Sequence, residues 1–211
     1  MAGNTRERLL QATIDVIETH GERAVKVRDI AEKADVTEPS IYHFFGDRDG
    51  LIEEALAVQF GQGQVEPMLL FTDSIQLCRS RKEFLDLVRS TLEATFDPSV
   101  AGRRFTRVNV LGSAQSRPEL AHYVAEQQRR VNHELGTAFR FAQSKGFMRA
   151  NVDCDILAVW VVGMITGRLL IEIDPQLADS QEWNSVAIDA VMAAMGSPPS
   201  SLTKWNTPTR R

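Results

Sequence analysis

The chain has 211 residues, of which 43% are hydrophobic and 25% charged, with a formal net charge of −4. That length suits one small domain joined to a larger one, and the composition is that of a soluble globular protein able to bury a core. A net negative charge argues against binding nucleic acid by bulk attraction. Two cysteines, Cys78 and Cys154, stand far apart with no Cys-x-x-Cys, which excludes a disulfide framework and a zinc site; both are expected as reduced thiols in a core.

In chain order the hydrophobic pattern is helical throughout, and no strand pattern emerges. Leu10, Ile14 and Ile17, widened by Leu9, Thr13 and Val16, form the face of a first helix that ends near His20-Gly21. Val27, Ile30, Ala31 and Ala34 repeat the pattern on a shorter second helix, interrupted by Asp35-Val36-Thr37. Thr37 is a suitable N-cap for a third short helix through Phe45. Gly46-Asp47 ends that helix, and Asp47 can cap a fourth from Arg48 onward. Beyond Gln59 the pattern loosens at Gly61, Gly63 and Pro67. It resumes in helices over about Arg81–Phe96, Arg103–Ser113, Pro118–Lys145, Cys154–Ile173 and Gln181–Met195. Pro118 is a favoured first helical residue, Gly146 a stop and Asp153 a cap. About nine helices are therefore expected, in an all-α fold. Residues 1–47 read as one domain, residues 48–196 as a larger second one, and the Pro-, Ser- and Thr-rich residues 197–211 as a disordered tail.

The segment Val27 to Phe45 reads as helix, three-residue turn, helix, with the small Ala31 and Ala34 where the two helices must cross closely. Such a second helix can enter a major groove. Its outward residues would be Glu38, Pro39, Ser40, Tyr42, His43 and Phe44, whereas Val36, Ile41 and Phe45 would face inward; Phe44 alone is compatible with either side. Tyr42, a hydroxyl at the end of a rigid ring, suits a phosphate.

At this point the sequence resembles the tetracycline-repressor (TetR) family of bacterial transcriptional regulators. The matching residues are Arg8-Leu9-Leu10-Gln11-Ala12, Gly21, Val27-Arg28-Asp29-Ile30-Ala31, Val36-Thr37 and Ile41-Tyr42-His43-Phe44-Phe45-Gly46-Asp47-Arg48-Asp49-Gly50-Leu51. The close resemblance covers about Thr5 to Leu56. It implies a homodimer on a pseudo-palindromic operator, usually a repressor, released when a ligand enters the C-terminal domain. Carried over by position, it points to Arg28, Thr37, Ser40, Tyr42, His43 and Arg48 as DNA-contacting; Lys26 and Pro39 complete the expected set. Three positions depart from the family pattern. Lys26 replaces the usual Ser or Thr cap, Asp35 the usual turn Gly, and Arg48 the usual Lys. Up to residue 48 there are seven basic residues against nine acidic ones. The DNA-facing cations, expected to be Arg6, Lys26, Arg28 and Arg48, must therefore be well placed.

In the larger domain, the run after Asp153 is apolar on nearly every face and needs cover on all sides. Its most apolar part, Ile156 to Gly167, is taken as too short to span a bilayer and as a buried helix instead. Gly163, Gly167 and Leu170, with Trp183, Ala187 and Val191 of the last helix, are expected at a dimer seam, unless the glycines ease packing within the subunit. Phe84, Val88, Leu92, Phe96, Phe105, Asn109, Tyr123, Gln127 and Trp160 are candidates to line a ligand pocket, although each alone also fits plain core. The few polar groups among them favour a mostly apolar effector. Arg103, Arg104 and Arg107 read as a solvated basic face. No Gly-rich phosphate loop, catalytic cluster or metal-ligand spacing of His20, His43, His122 and His133 is found, so neither an enzyme nor a cofactor is expected. The expected protein is a cytoplasmic, ligand-responsive, homodimeric repressor with no membrane partner; the alternative is a ligand-independent repressor or activator.

Overall fold

The computed structural model describes residues 4–62 and 65–196. The described residues form eleven α-helices and two short 3-10 turns, with no strand among them. The helices are α1 (Thr5–His20), α2 (Val27–Lys33), α3 (Glu38–Phe45), α4 (Arg48–Gln62), α5 (Val65–Leu77), α6 (Arg81–Phe96), α7 (Ala101–Ala114), α8 (Pro118–Ser144), α9 (Cys154–Gly167), α10 (Leu169–Ile173) and α11 (Ser180–Ala194). The expected count of nine misses α5, which starts between the two breakers of that region. It also misses a break at Arg168 that divides the last apolar run into α9 and α10. The tail from residue 197, expected to be disordered, lies outside the described residues.

The chain divides into two compact units. One consists of Met1–Glu66 with Phe105–Gln128, the other of Pro67–Arg104 with Arg129–Arg211. The divide therefore does not fall at residues 47/48, and hydrophobic burial explains why. Leu9, Leu10 and Ile14 of α1, Ile30 and Ala31 of α2, Ile41 and Phe45 of α3 and Leu51, Ile52, Ala55 and Leu56 of α4 form one core. Val110 and Ala114 of α7 and Leu120 and Val124 of α8 belong to that same core. A helix-turn-helix of this size buries little apolar surface by itself, so further helices in the same core stabilise it. Polar bonds follow the same route. The Glu22 carboxylate accepts from Ser113 Oγ and, at 2.9 Å, from Arg117. The Glu53 carboxylate accepts the Leu120 N–H at 2.6 Å, one of the first-turn donors of α8 that the helix itself leaves unpaired.

The second unit has its own core, built on the inward stripe Phe84, Val88, Leu92 and Phe96 of α6. Leu135, Ala138, Phe139 and Ala142 of α8, Leu157, Ala158 and Val161 of α9, and Ala187, Ile188, Val191 and Met192 of α11 pack with it. Cys154 is buried and Cys78 half-buried, and neither is in a disulfide. Burial pushes both thiols up from their ordinary acidity; the nearby carboxylate of Glu83 adds to this at Cys78.

Together α9 and α10 run 20 residues, Cys154–Ile173, long and apolar enough to cross a membrane, and only 33% of that stretch is buried. This corrects the length argument made from Ile156 to Gly167. One face packs in the core; the other carries Ile156, Val159, Trp160, Leu170 and Ile173 to the surface.

Candidate nucleic-acid interface

The helix-turn-helix is assembled by a backbone motif between α2 and α3. Asp35 is the one described non-glycine residue at positive φ, with φ 53°. Its N–H donates to Glu32 O at 3.1 Å, and the next N–H, of Val36, to Ala31 O at 3.0 Å. That pair of bonds is a Schellman ending, in which the left-handed residue is most often glycine. Aspartate is among the few side-chain residues that enter this region at modest cost. The expected turn therefore forms with Asp35 in the glycine place. Thr37 stands at the N-cap of α3 as expected but makes no side-chain capping bond; its hydroxyl lies 3.3 Å from Ser40 Oγ instead. Lys26 precedes α2, likewise without a side-chain cap.

Burial phases α3 clearly. Ile41 and Phe45 are in the core, while Thr37, Glu38, Pro39, Tyr42, His43 and Phe44 are exposed and Ser40 is half-buried. Tyr42 is 52% exposed. Phe44, whose side was open, stands at the surface edge against the His43 ring, 5.1 Å between centroids. The outward set of α3 thus combines the hydroxyls of Thr37, Ser40 and Tyr42 with the His43 imidazole, the Glu38 carboxylate and the apolar Pro39 and Phe44.

The flanking cations differ among themselves. Lys26 and Arg28 are exposed and make no ion pair among the described residues. Arg6 is paired with Glu54 and lies over the Phe45 ring, 5.7 Å from its centroid. Arg48 uses its guanidinium on the protein itself: Nε donates to Val25 O at 2.7 Å and Nη2 to Glu22 O at 2.8 Å. It therefore ties the start of α4 to the turn between α1 and α2. At the same corner Asp47 Oδ1 accepts the Gly50 N–H at 2.8 Å, the expected cap of α4. A Cβ on Gly50 would collide with the Phe45 carbonyl, so only glycine lets α4 start so close to the end of α3.

The remaining candidates fall in different places. Phe84, Val88, Leu92 and Phe96 are buried together in the second unit. Phe105 and Asn109 are exposed, and Tyr123 and Gln127 half-buried, in the first unit. Trp160, placed among the pocket candidates, is on the outer face of α9. Ala187 and Val191, expected at a dimer seam, are covered within their own unit; the outward residue beside them is Val186, 68% exposed. Gly163 and Gly167 have open space where a Cβ would stand, so they do not serve packing inside the subunit. Of the expected basic face only Arg103 is solvated. Arg104 is buried, and Arg107 is half-buried over the Phe60 ring, 5.7 Å away, with its pKa lowered by burial.

A helix-turn-helix whose second helix presents an exposed face is an element of the kind that enters a DNA major groove. Residues 9–55 match the family model of the bacterial regulatory proteins of the tetR family. The fold recurs in solved structures. A transcriptional regulator of the TetR family from Cytophaga hutchinsonii superposes with TM-score 0.70 at 18% identity, over 93% of this chain and 97% of that one. A protein from Rhodococcus sp., described as a TetR-family transcriptional regulator, gives 0.67 at 21%, over 90% and 98%. A transcriptional regulator from Saccharomonospora viridis in complex with choline gives 0.67 at 16%, over 88% and 94%. No curated protein matches the chain. The likeness is thus to the bacterial regulatory proteins of the tetR family over residues 9–55, and to the fold of solved TetR-family regulators over most of the chain.

Proposed function

We propose that the protein is a cytoplasmic, ligand-responsive repressor that binds a pseudo-palindromic operator as a homodimer and is released by a small, mostly apolar effector. The observation that carries the reading is the exposed face of α3, with Tyr42, His43 and Thr37 outward while Ile41 and Phe45 anchor the helix from behind. In this reading Thr37, Pro39, Ser40, Tyr42 and His43 meet the groove, and Lys26 and Arg28 meet phosphates. The homodimer is supported by the apolar outer face of α9 and α10, with Ile156 67% and Leu170 62% exposed beside Val186 of α11. A lone protein in water rarely leaves so large an apolar patch open, and a second copy would cover it. The choline-bound neighbour supports a small-molecule effector, since a protein of the same fold is found in complex with a small molecule.

Selection of duplexes from a random library on the purified protein, followed by footprinting, tests the reading. Two inverted half-sites about 34 Å apart are expected; a protein that selects no sequence overturns it. A thermal-shift screen coupled to an operator-binding assay tests release. Compounds that raise the melting temperature should lower operator affinity. If no compound does both, the protein regulates without a ligand.

A further inference from the structure

A helix in a major groove reads sequence through side chains that match base edges. Purines are read best by forks, Arg or Lys on guanine and Asn or Gln on adenine. Helix α3 carries none of these four residue types along Glu38–Phe45. Its hydroxyls are partly engaged already, since Thr37 and Ser40 lie 3.3 Å apart and one donates to the other. Its first turn is also poor in backbone donors. Pro39 has no N–H, and the Ser40 N–H goes to Thr37 O at 3.0 Å. A phosphate finds little to hold there, which leaves that turn to the base edges.

What the face offers instead is carbon and one carboxylate. With Ile41 and Phe45 in the core, Pro39 and His43 stand on the opposite side, one turn apart and so neighbours on the helix surface. The His43 ring meets Phe44 edge to face, 5.1 Å between centroids, and Phe44 is 37% exposed. Pro39, His43 and Phe44 therefore lie in a band of three rigid rings. The apolar feature of the major groove is the C5-methyl group of thymine. At the start of the helix Glu38 is exposed and makes no ion pair among the described residues. An ionised carboxylate accepts and does not donate, and the base group that suits it in this groove is the cytosine N4 amine.

We propose that α3 recognises its operator by pyrimidine edges, with Pro39 and Phe44 against thymine methyl groups and Glu38 on a cytosine amino group. The proposal rests on the operator reading above and names the bases that its recognition helix selects. The His43 ring braces that of Phe44. Phosphate binding falls to the exposed Lys26 and Arg28 of the α2 side, so affinity and base choice reside on different helices.

The test takes the operator that the full chain selects from a random duplex library and alters single groups on it. Deoxyuridine in place of thymine removes the methyl group and keeps the pairing. At one or more thymines of each half-site this exchange should weaken binding by about three- to fourfold, the effect expected for one buried methyl group. Cytosine at the same place should bind less well than 5-methylcytosine by a similar factor, which ties the effect to the methyl group whichever pair carries it. Pro39→Ala and Phe44→Ala, both at exposed positions, should melt near the parent and lose preference for thymine over deoxyuridine. Glu38→Ala should keep that preference and lose selection of cytosine at one position. Deoxyuridine tolerated at every thymine overturns the proposal, and because the change is in the DNA, that result does not depend on how any variant folds. So does a thymine preference that survives in both ring variants, or unchanged base selection by Glu38→Ala. A chain that selects no sequence sinks the operator reading and this proposal together. A selected pair of half-sites indifferent to these exchanges sinks the proposal alone.

Discussion

Asp35 carries the turn of the helix-turn-helix in a backbone region that glycine enters freely and aspartate does not. Asp35→Gly is therefore expected to keep the Schellman bonds and raise the unfolding free energy by up to about 1 kcal/mol, whereas Asp35→Val should lower it by about 1–2 kcal/mol. Urea unfolding of both variants checks this, and a stabilised valine variant would show that the turn is not left-handed in solution. Asp15 gives a second test at the same scale. Hydrogen bonds from Lys33, at 2.9 Å, and then Gln11 hold its carboxyl below the usual carboxylate range. A carboxyl depressed in the folded state stabilises above its unfolded value, about 3.9, and that contribution fades as pH falls through the lower folded value. The pair is close to half-exposed, so Asp15→Asn should cost no more than about 0.2–1 kcal/mol at neutral pH. In strong acid the variant and the parent should converge. A deficit that persists there would assign the effect to packing between α1 and α2 and not to charge.

At the scale of elements, the junction of α3 and α4 is the most constrained. Gly50 has the Phe45 carbonyl where a Cβ would go, and Asp47 caps the same turn. Gly50→Ala must move α4 away from α3 and should destabilise by about 1–3 kcal/mol. Operator binding should fall further than random-duplex binding, because the orientation of α3 is what the turn sets. Equal loss on both would place the damage in folding alone. How much of this was legible in the sequence depends on where the deciding contacts lie. Local chemistry announced the end of α6 at Asp97-Pro98 and the turn at Asp35, because stops and turns act within a few residues; the Ser80 cap of α6 was not read. The face of α3 was legible because apolar and polar residues alternate at helical spacing. The face of α9 was not. A helix apolar all round has no phase, so Trp160 was placed inside and proved to be outside, and Ala187 and Val191 of α11 the reverse. Nor was α5, since Gly63 and Pro67 read as breakers, although proline is tolerated in a first helical turn such as that of α5. The burial of Arg104 depends on Glu172, 68 residues away, and no local pattern reports it.

For the whole molecule, the expected dimer and the expected salt response are separable. Gly163 has free space around a Cβ, so Gly163→Leu should leave the melting temperature of the subunit nearly unchanged while weakening the dimer in sedimentation. A dimer as strong as the parent's would move the seam off α9. DNA binding should show a shallow salt dependence. Four cations per subunit would bound the slope of log K against log salt at about −7, taking roughly 0.9 per phosphate. With Arg6 paired to Glu54 and Arg48 tied to Val25 and Glu22, Lys26 and Arg28 remain, and the slope should lie nearer about −4. Arg48→Ala should then lower the stability of the DNA-binding unit while leaving that slope nearly alone; a flatter slope would return Arg48 to the phosphates. The two native thiols, Cys154 buried and Cys78 half-buried, offer a way to watch these events. Because Cys78 and Cys154 are both held protonated, their thiolate fraction near neutral pH is small. A cysteine introduced on the exposed face of α3, as in His43→Cys, would react first with a maleimide dye and carry a nearly exclusive label. Operator occupancy would then register as protection of one fast-reacting site, against two native thiols that react more slowly.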